Sequence, residues 1–153
     1  MGIVFEGFGN IMNHQAQTIT CPVNCVGVMG AGLAMTMRNR VIGLNENYKK
    51  QCFSGDIGIG KVGIFIYEDK DKKVLLFPTK GHWKDLTDVK DIETGLKDLK
   101  SKYKKLGITS LAMIPLGCGC GGLDYTKDVR PLLLEYLNDF DIDVYILHRG
   151  DLK

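Results

Sequence analysis

The chain has 153 residues, 44% of them hydrophobic and 25% charged, which is the size and balance of one globular domain and not of a disordered tail, a fibre or a two-domain enzyme. A chain of this length buries about 70% of the surface its unfolded form exposes, so it builds a core without disulfide staples. Its 20 Lys+Arg against 18 Asp+Glu leave a formal charge of +2, which excludes the broad basic face that dominates non-specific nucleic-acid affinity and leaves room only for a local basic patch.

At the N-terminus, Ile3-Val4-Phe5 is a short apolar run, followed by Gly7-Phe8-Gly9-Asn10. Gln17 to Val23 reads as a buried strand, weakened near its end by Pro22, which has no N–H to give to a ladder. The glycine-rich stretch Val26 to Gly32 leads into Leu33-Ala34-Met35-Thr36-Met37-Arg38, whose Leu, Ala and Met content favours helix. A second short helix is expected over residues 45–52. Two β-rich runs, 62–67 and 73–77, flank the charged turn Glu68-Asp69-Lys70-Asp71-Lys72 and predict a hairpin.

Between Val89 and Leu106, the apolar positions Ile92, Leu96, Leu99, Tyr103 and Leu106 recur at steps of four, three, four and three. That spacing lines one face of a helix, with Asp88 as its N-cap and Gly107 at its C-terminal stop. Residues 110–115 read as an interior strand that enters a second glycine loop, Leu116 to Gly122. A last amphipathic helix carries Val129, Leu132, Leu133, Tyr136, Leu137 and Phe140, and a last strand covers Ile142 to Leu147. The order is mixed α/β in a single domain, residues 1–153. The longest apolar stretches have the length of strands, so no membrane span is expected.

The five cysteines, Cys21, Cys25, Cys52, Cys118 and Cys120, are odd in number and irregular in spacing, with no secretory signal before them. An intracellular, cytoplasmic and reduced protein is expected. A zinc site pairing Cys21 and Cys25 with Cys118 and Cys120 fits the usual ligand spacing poorly, and no metal or cofactor is expected.

Glycine is the composition's outlier: 19 of 153 residues, about 12% against the usual 7% or so. Two clusters hold many of these glycines, each after a strand and before a helix. Without a Cβ, a backbone there can approach a ligand and aim its N–H groups at an anion, helped by the helix dipole, and phosphate is the usual guest. The bland alternative is a pair of tight turns. Gly117, Gly119 and Gly122 satisfy G-x-G-x-x-G, yet only about thirty residues follow, too few for a dinucleotide-binding domain. Two cradles suit a diphosphate gripped from both sides.

The stretch Val23-Asn24-Cys25-Val26-Gly27-Val28-Met29-Gly30-Ala31-Gly32-Leu33-Ala34, the tetrad Phe77-Pro78-Thr79-Lys80 with His82-Trp83 behind it, and Leu116-Gly117-Cys118-Gly119-Cys120-Gly121-Gly122-Leu123 together resemble macrodomains. Within that family the chain is most similar to the branch of antitoxins that strip ADP-ribose from DNA, and more distantly to the terminal ADP-ribose protein glycohydrolase. The resemblance spans nearly the whole chain. It implies a three-layer α/β/α fold with a mixed, about six-stranded sheet and ADP-ribose in a cleft at the strand ends.

By position, the resemblance implies that Asn10 and Ile11 form the adenine-binding turn, with Asn10 standing where many macrodomains have aspartate. Asn24 falls near the distal ribose, although a polar residue at a strand end bonding the loop backbone is an equal alternative. Val28, Met29, Gly30, Ala31, Gly32 and Leu33 match the first phosphate loop, and Gly117, Cys118, Gly119, Cys120, Gly121, Gly122 and Leu123 match the second. Thr79 belongs to the substrate-binding set, and Lys80 is the implied catalytic group. An amine attacks only as the neutral base, and free lysine titrates near pH 10.4 or so, so such a role demands surroundings that favour the uncharged form.

The protein glycohydrolase carries an aspartate in its second loop where this chain has Gly121, which moves the balance toward the DNA-acting branch. Asp124 reads instead as a cap for the last helix. Trp83 is either a stacking platform for an exposed base or a partly buried loop anchor, and His82 alone is too little for a general base.

The expected function is therefore an ADP-ribosyl hydrolase that removes mono-ADP-ribose from a macromolecule, most plausibly a DNA base, through Lys80. An ADP-ribose 1''-phosphate phosphatase and a non-catalytic ADP-ribose reader are the alternatives. ADP-ribose is the expected ligand or product, single-stranded DNA the expected partner, and a monomer the expected state. In 153 residues the catalytic module is expected without the toxin-neutralising C-terminal domain that such antitoxins often carry.

Overall fold

The run Val74-Leu75-Leu76-Phe77 dictates the layering. All four side chains are fully buried, and in a strand they must alternate between the two faces of a sheet, so both faces need covering helices. The computed structural model describes residues 2–67 and 71–148 and meets that requirement. Its strands are β1 (Val4–Phe8), β2 (Thr18–Asn24), β3 (Gly63–Tyr67), β4 (Lys72–Lys80), β5 (Ser110–Met113) and β6 (Asp143–His148). Its α-helices are α1 (Gly32–Arg40), α2 (Leu44–Ser54), α3 (Val89–Lys102) and α4 (Arg130–Leu137), with a 3-10 turn at Ile11–Asn13 and a π turn at Tyr125–Val129.

The strands form one six-stranded sheet in the order β1-β6-β5-β2-β4-β3. Every neighbouring pair is parallel except β3 with β4, so the sheet is mixed. Val74 and Leu76 pack with Ile19, Cys21 and Val23 of β2 and with Met37, Leu44 and Tyr48 of α1 and α2. Leu75 and Phe77 pack on the other face with Ile92, Leu96 and Leu99 of α3 and Leu133 and Leu137 of α4. This is the three-layer α/β/α arrangement that the resemblance implies. No helix among the described residues is long and apolar enough to cross a membrane.

The hairpin expected over residues 62–77 is present as β3 and β4, while Glu68, Asp69 and Lys70 of its expected turn lie outside the described residues. Asp88 caps α3 as predicted, accepting from the Lys90 N–H at 2.9 Å. That helix ends at Lys102, four residues before Leu106, and the chain turns on through Gly107 at φ +73°. Pro22 does not break β2. β5 accompanies β2 only as far as Ile19, so at Pro22 the strand has a single neighbour, β4, and a proline is tolerated at such an edge.

The same early parting shapes the functional end. β2 runs five residues past its last pair with β5, so the two central strands separate toward their carboxyl ends, and the two glycine loops emerge from them. Ligands of open α/β sheets bind in such a crevice beyond the strand ends.

One packing contact ties α3 to the strand that carries Lys80. A Cβ built on Gly95 would stand 2.5 Å from Cζ of the fully buried Phe77 ring. Overpacking of this kind costs about 1–3 kcal/mol, against ~1 kcal/mol gained in helix propensity. Gly95→Ala is therefore expected to lose about 1 kcal/mol net and to lower the melting temperature by about 2–4 °C, read by thermal denaturation; an unchanged or higher value would mean that the Phe77 ring has room to yield.

Candidate functional site

The first loop is built around Asn24, the last residue of β2 and only 6% exposed. Its Oδ1 accepts from the N–H groups of Val26 at 3.1 Å and Val28 at 3.3 Å, and its Nδ2 donates to the Val28 carbonyl at 2.8 Å. The Tyr48 hydroxyl, wholly buried on α2, lies 2.8 Å from both the main-chain oxygen and Oδ1 of Asn24. Burial pushes the Tyr48 phenol well above the ordinary tyrosine value, so it stays a donor. Asn24 thus bonds the loop backbone, one of the two roles the sequence leaves open for it.

Beyond Val28 the loop exposes Gly30, Ala31 and Gly32, whereas Met29 is buried as an anchor in the core beneath α1 and α2. The N-cap of α1 is Ala31, which supplies no side-chain acceptor. The first N–H groups of α1, from Gly32 and Leu33 onward, are thus left for an external acceptor, and the helix dipole favours an anion there.

Lys80 ends β4 directly beside Asn24. The register runs Val23 to Pro78 and then Asn24 to Lys80, so Thr79 is an extra residue, and the alternation of the strand shifts at the lysine. A bulge of this kind re-aims the side chain that follows it. Thr79 itself is buried. The Cys25 N–H donates to the Gly81 carbonyl at 2.8 Å, fastening the start of the first loop to the residue after Lys80. His82 Nδ1 accepts from the Lys84 N–H at 3.1 Å, which gives that ring a turn-forming duty. Trp83 is half exposed, with the Lys84 ammonium 5.1 Å from its ring centroid.

The second loop is closed by the Leu123 N–H donating to the Gly117 carbonyl at 2.9 Å, and Gly117 and Gly122 take φ values of +74° and +82° that favour glycine. The Thr87 N–H donates to the Gly121 carbonyl at 2.9 Å. A Cβ on Gly121 would run into Thr87 Oγ1 and stand 2.5 Å from the Gly117 carbonyl oxygen. The absence of an acid at this position is therefore enforced by space. Gly119, Cys120 and Gly122 are exposed, and Cys118 and Leu123 are half-buried. Asp124 caps the π turn as expected, accepting from the Lys127 N–H at 2.9 Å. Glu6 of β1 secures that turn through Arg130 and the Tyr125 hydroxyl, both at 2.9 Å, and the Arg130 hydrogen bonds hold its carboxyl below the ordinary range.

Asn10 accepts from the Met12 N–H at 3.0 Å and so caps the 3-10 turn, while Ile11 is buried beneath it. This turn follows β1 at the same edge of the sheet. Burial raises the thiols of Cys25 and Cys118 to about 11 and that of Cys21 to about 12, so at neutral pH they are protonated and poor nucleophiles or ligands. Among the described residues no three His, Cys, Asp or Glu side chains gather as a metal site would need.

Tyr48 and Thr87 are the two residues of the site that sequence reasoning misses. Each acts across the fold, and no local motif marks either. The structure brings the two glycine loops, Asn24 and the Thr79-Lys80 bulge to one edge, with the Asn10-Ile11 turn following β1 there.

Two predictions follow from this geometry. Tyr48→Phe removes a buried donor to Asn24 and is expected to cost about 1–2 kcal/mol of stability, with ADP-ribose affinity falling about three- to tenfold in calorimetry as the first loop loosens. Gly121→Ala is expected to lower the melting temperature by several degrees, whereas Gly119→Ala, whose Cβ would meet nothing within 4 Å, leaves it within about 1 °C.

Residues 21–131 match the model of the Macro domain family. The DNA ADP-ribosyl glycohydrolase of Mycobacterium tuberculosis is 36% identical, in an alignment covering 94% of this chain and 42% of that protein. The solved macrodomain of Mycobacterium tuberculosis DarG superposes with a TM-score of 0.91 at 34% identity, covering 98% of this chain and all of that one. Thermosipho africanus DarTG, solved in complex with ADP-ribose, superposes with a TM-score of 0.88 at 36% identity over 95% of this chain and 41% of that one. The chain spans about two fifths of the length of the curated relatives it matches first. With its sheet order, paired glycine loops and this breadth of similarity, the chain belongs to the Macro domain family.

Proposed function

We propose that this chain hydrolyses the bond between ADP-ribose and a DNA base. The observation that carries the reading is the pairing of Lys80 with Asn24 at the parting strand ends, where the two glycine loops emerge. Its relatives named DNA ADP-ribosyl glycohydrolase support DNA as the molecule that bears the ADP-ribosyl group, and the ADP-ribose complex of Thermosipho africanus DarTG supports the ligand.

In this reading the diphosphate takes hydrogen bonds from loop N–H groups and from the start of α1, and the adenine lies toward the Asn10-Ile11 turn. The distal ribose reaches Asn24 and Lys80. The neutral Lys80 amine attacks C1 of that ribose, the C1–N bond to the base breaks, and the base leaves with a proton. The lysine glycosylamine so formed opens to an iminium as the bond from C1 to the ring oxygen breaks and that oxygen takes up a proton; water adds to the iminium carbon, the amine leaves, and ADP-ribose is released. The steric block at Gly121 keeps a second-loop carboxylate out of that last step.

With an ADP-ribosylated single-stranded oligonucleotide, the parent protein is expected to release free ADP-ribose and the intact strand, followed by mass spectrometry. Lys80→Ala is expected to slow release roughly 100-fold or more while binding ADP-ribose within about threefold of the parent in calorimetry. No release by the parent protein rejects the proposal. Phosphate release from ADP-ribose 1''-phosphate that survives Lys80→Ala would assign the site to a phosphatase.

A further inference from the structure

A cleft of about 900 Å3 lies on the first loop, between residues 25–29 and α2. It borders the N-terminal half of the loop and not the Gly30–Leu33 segment that opens α1. Its lining includes three cations, Arg38, Lys49 and Lys50, and no carboxylate. Glu46 lines a smaller neighbouring hollow that shares Arg38 and Asn45 with it. Val26 and Val28 are half-exposed on its loop side, and on its helix side Phe53 is 96% exposed.

We infer that this cleft holds the single-stranded nucleic acid to which the ADP-ribosylated base belongs. Three observations lead there. The lining of the cleft carries three cations and no carboxylate in a chain whose net charge is only +2. A fully exposed Phe53 beside Lys49 and Lys50 combines the two elements by which single strands are bound without sequence preference, a π face for a base and cations for the backbone. The cleft also begins at Cys25, the residue after Asn24, and the Cys25 N–H is bonded to Gly81, the residue after Lys80. A strand lying in it passes beside the proposed reaction centre.

A second aromatic and cation pair, Trp83 with Lys84, leaves from that same Gly81 junction. An acidic peptide would satisfy the charge but would leave both exposed rings unused, so nucleic acid is the better complement. The inference rests on the reading that the substrate is modified DNA and adds to it a strand-binding surface that meets the expected ADP-ribose site at Val28 and Met29.

The test measures fluorescence anisotropy of a labelled, unmodified, thymidine-rich single-stranded 12-mer across a salt series. The parent protein is expected to bind it with an affinity that falls with salt. Lys50→Glu is expected to weaken binding about tenfold and to reduce the slope of log affinity against log salt by at least about 0.7, and Phe53→Ala to weaken it about tenfold with the slope unchanged. Lys49 is left in place, because its side-chain stem packs against Gly27 and its loss would disturb the loop.

Both variants are expected to bind free ADP-ribose as the parent does in calorimetry, which shows that they are folded. Oligonucleotide binding that is absent at low salt, or unchanged in both variants, overturns the inference. Displacement of the strand by a poly-glutamate peptide of equal charge and length at equal concentration also overturns it, in favour of an acidic protein partner. Because the strand is unmodified, a failure of base-linked hydrolysis rejects the proposed function without affecting this measurement.

Discussion

The Asn24 amide accepts from the N–H groups of Val26 and Val28 and donates to the Val28 carbonyl, so one side chain closes the turn by which the chain leaves β2. The rest of the carboxyl edge depends on that closure. A glycine loop supplies donors to an anion only if its backbone is already shaped, because ordering it at the moment of binding costs about 1–2 kcal/mol per residue. Asn24 and the buried Tyr48 hydroxyl meet that cost on folding, inside the core, where water cannot compete for the bonds. Val28 is the last residue the network holds, and the exposed glycines begin two residues later. A fixed half and an exposed half thus share one loop.

The second loop solves the same problem by crowding. Gly121 sits against Thr87 and the Gly117 carbonyl so closely that no side chain fits, and the Thr87 N–H is bonded to the Gly121 carbonyl. Thr87 belongs to the segment that runs from the end of β4 toward α3, so the strand bearing Lys80 and the second loop are held to each other. Thr87 Oγ1 is buried and finds no partner among the described residues. A buried hydroxyl in that state costs stability, and its methyl group, packed near Gly117, is the part that shapes the loop. The contact that excludes an acid from position 121 is thereby part of what positions the loop.

Much of the fold is legible in the sequence because it is written in periodicities that a single segment carries. The four-residue apolar run in β4 demands two covered faces, and the four-three-four-three spacing in α3 demands one. Asp88 and Asp124 announce their caps by position. The glycine clusters are equally plain, since each lies in one stretch of chain. Tyr48 is legible only as an apolar helix position, because its partner Asn24 is 24 residues away and nothing in a helical pattern reports a hydroxyl reaching across a layer. The bulge at Thr79 is hidden for the same reason. It exists as a mismatch in register between β2 and β4, a property of two strands and not of either sequence. The ends of elements are where the sequence misleads: α3 stops at Lys102 although its apolar spacing continues to Leu106, since Tyr103, Leu106 and Ile108 are packed by the turn that follows.

Net charge is a poor guide to what such a surface binds, because the average hides the arrangement. A formal charge of +2 over 153 residues gives almost no long-range field, and at physiological salt any field falls away within about 8 Å. Recognition must then come from contacts made at that range. A diphosphate at the glycine loops would need no lysine for this, since backbone N–H groups and a helix terminus supply the positive ends of dipoles that no mutation of side chains removes. The cations are consequently free to serve elsewhere, and Arg38, Lys49 and Lys50 gather on the cleft beside the loop. In the proposed function, that division of work would let the ADP-ribosyl group set which molecule is bound and the neighbouring cleft set how its strand is laid across Lys80. Affinity for ADP-ribose and affinity for the strand would then respond to different degrees to salt.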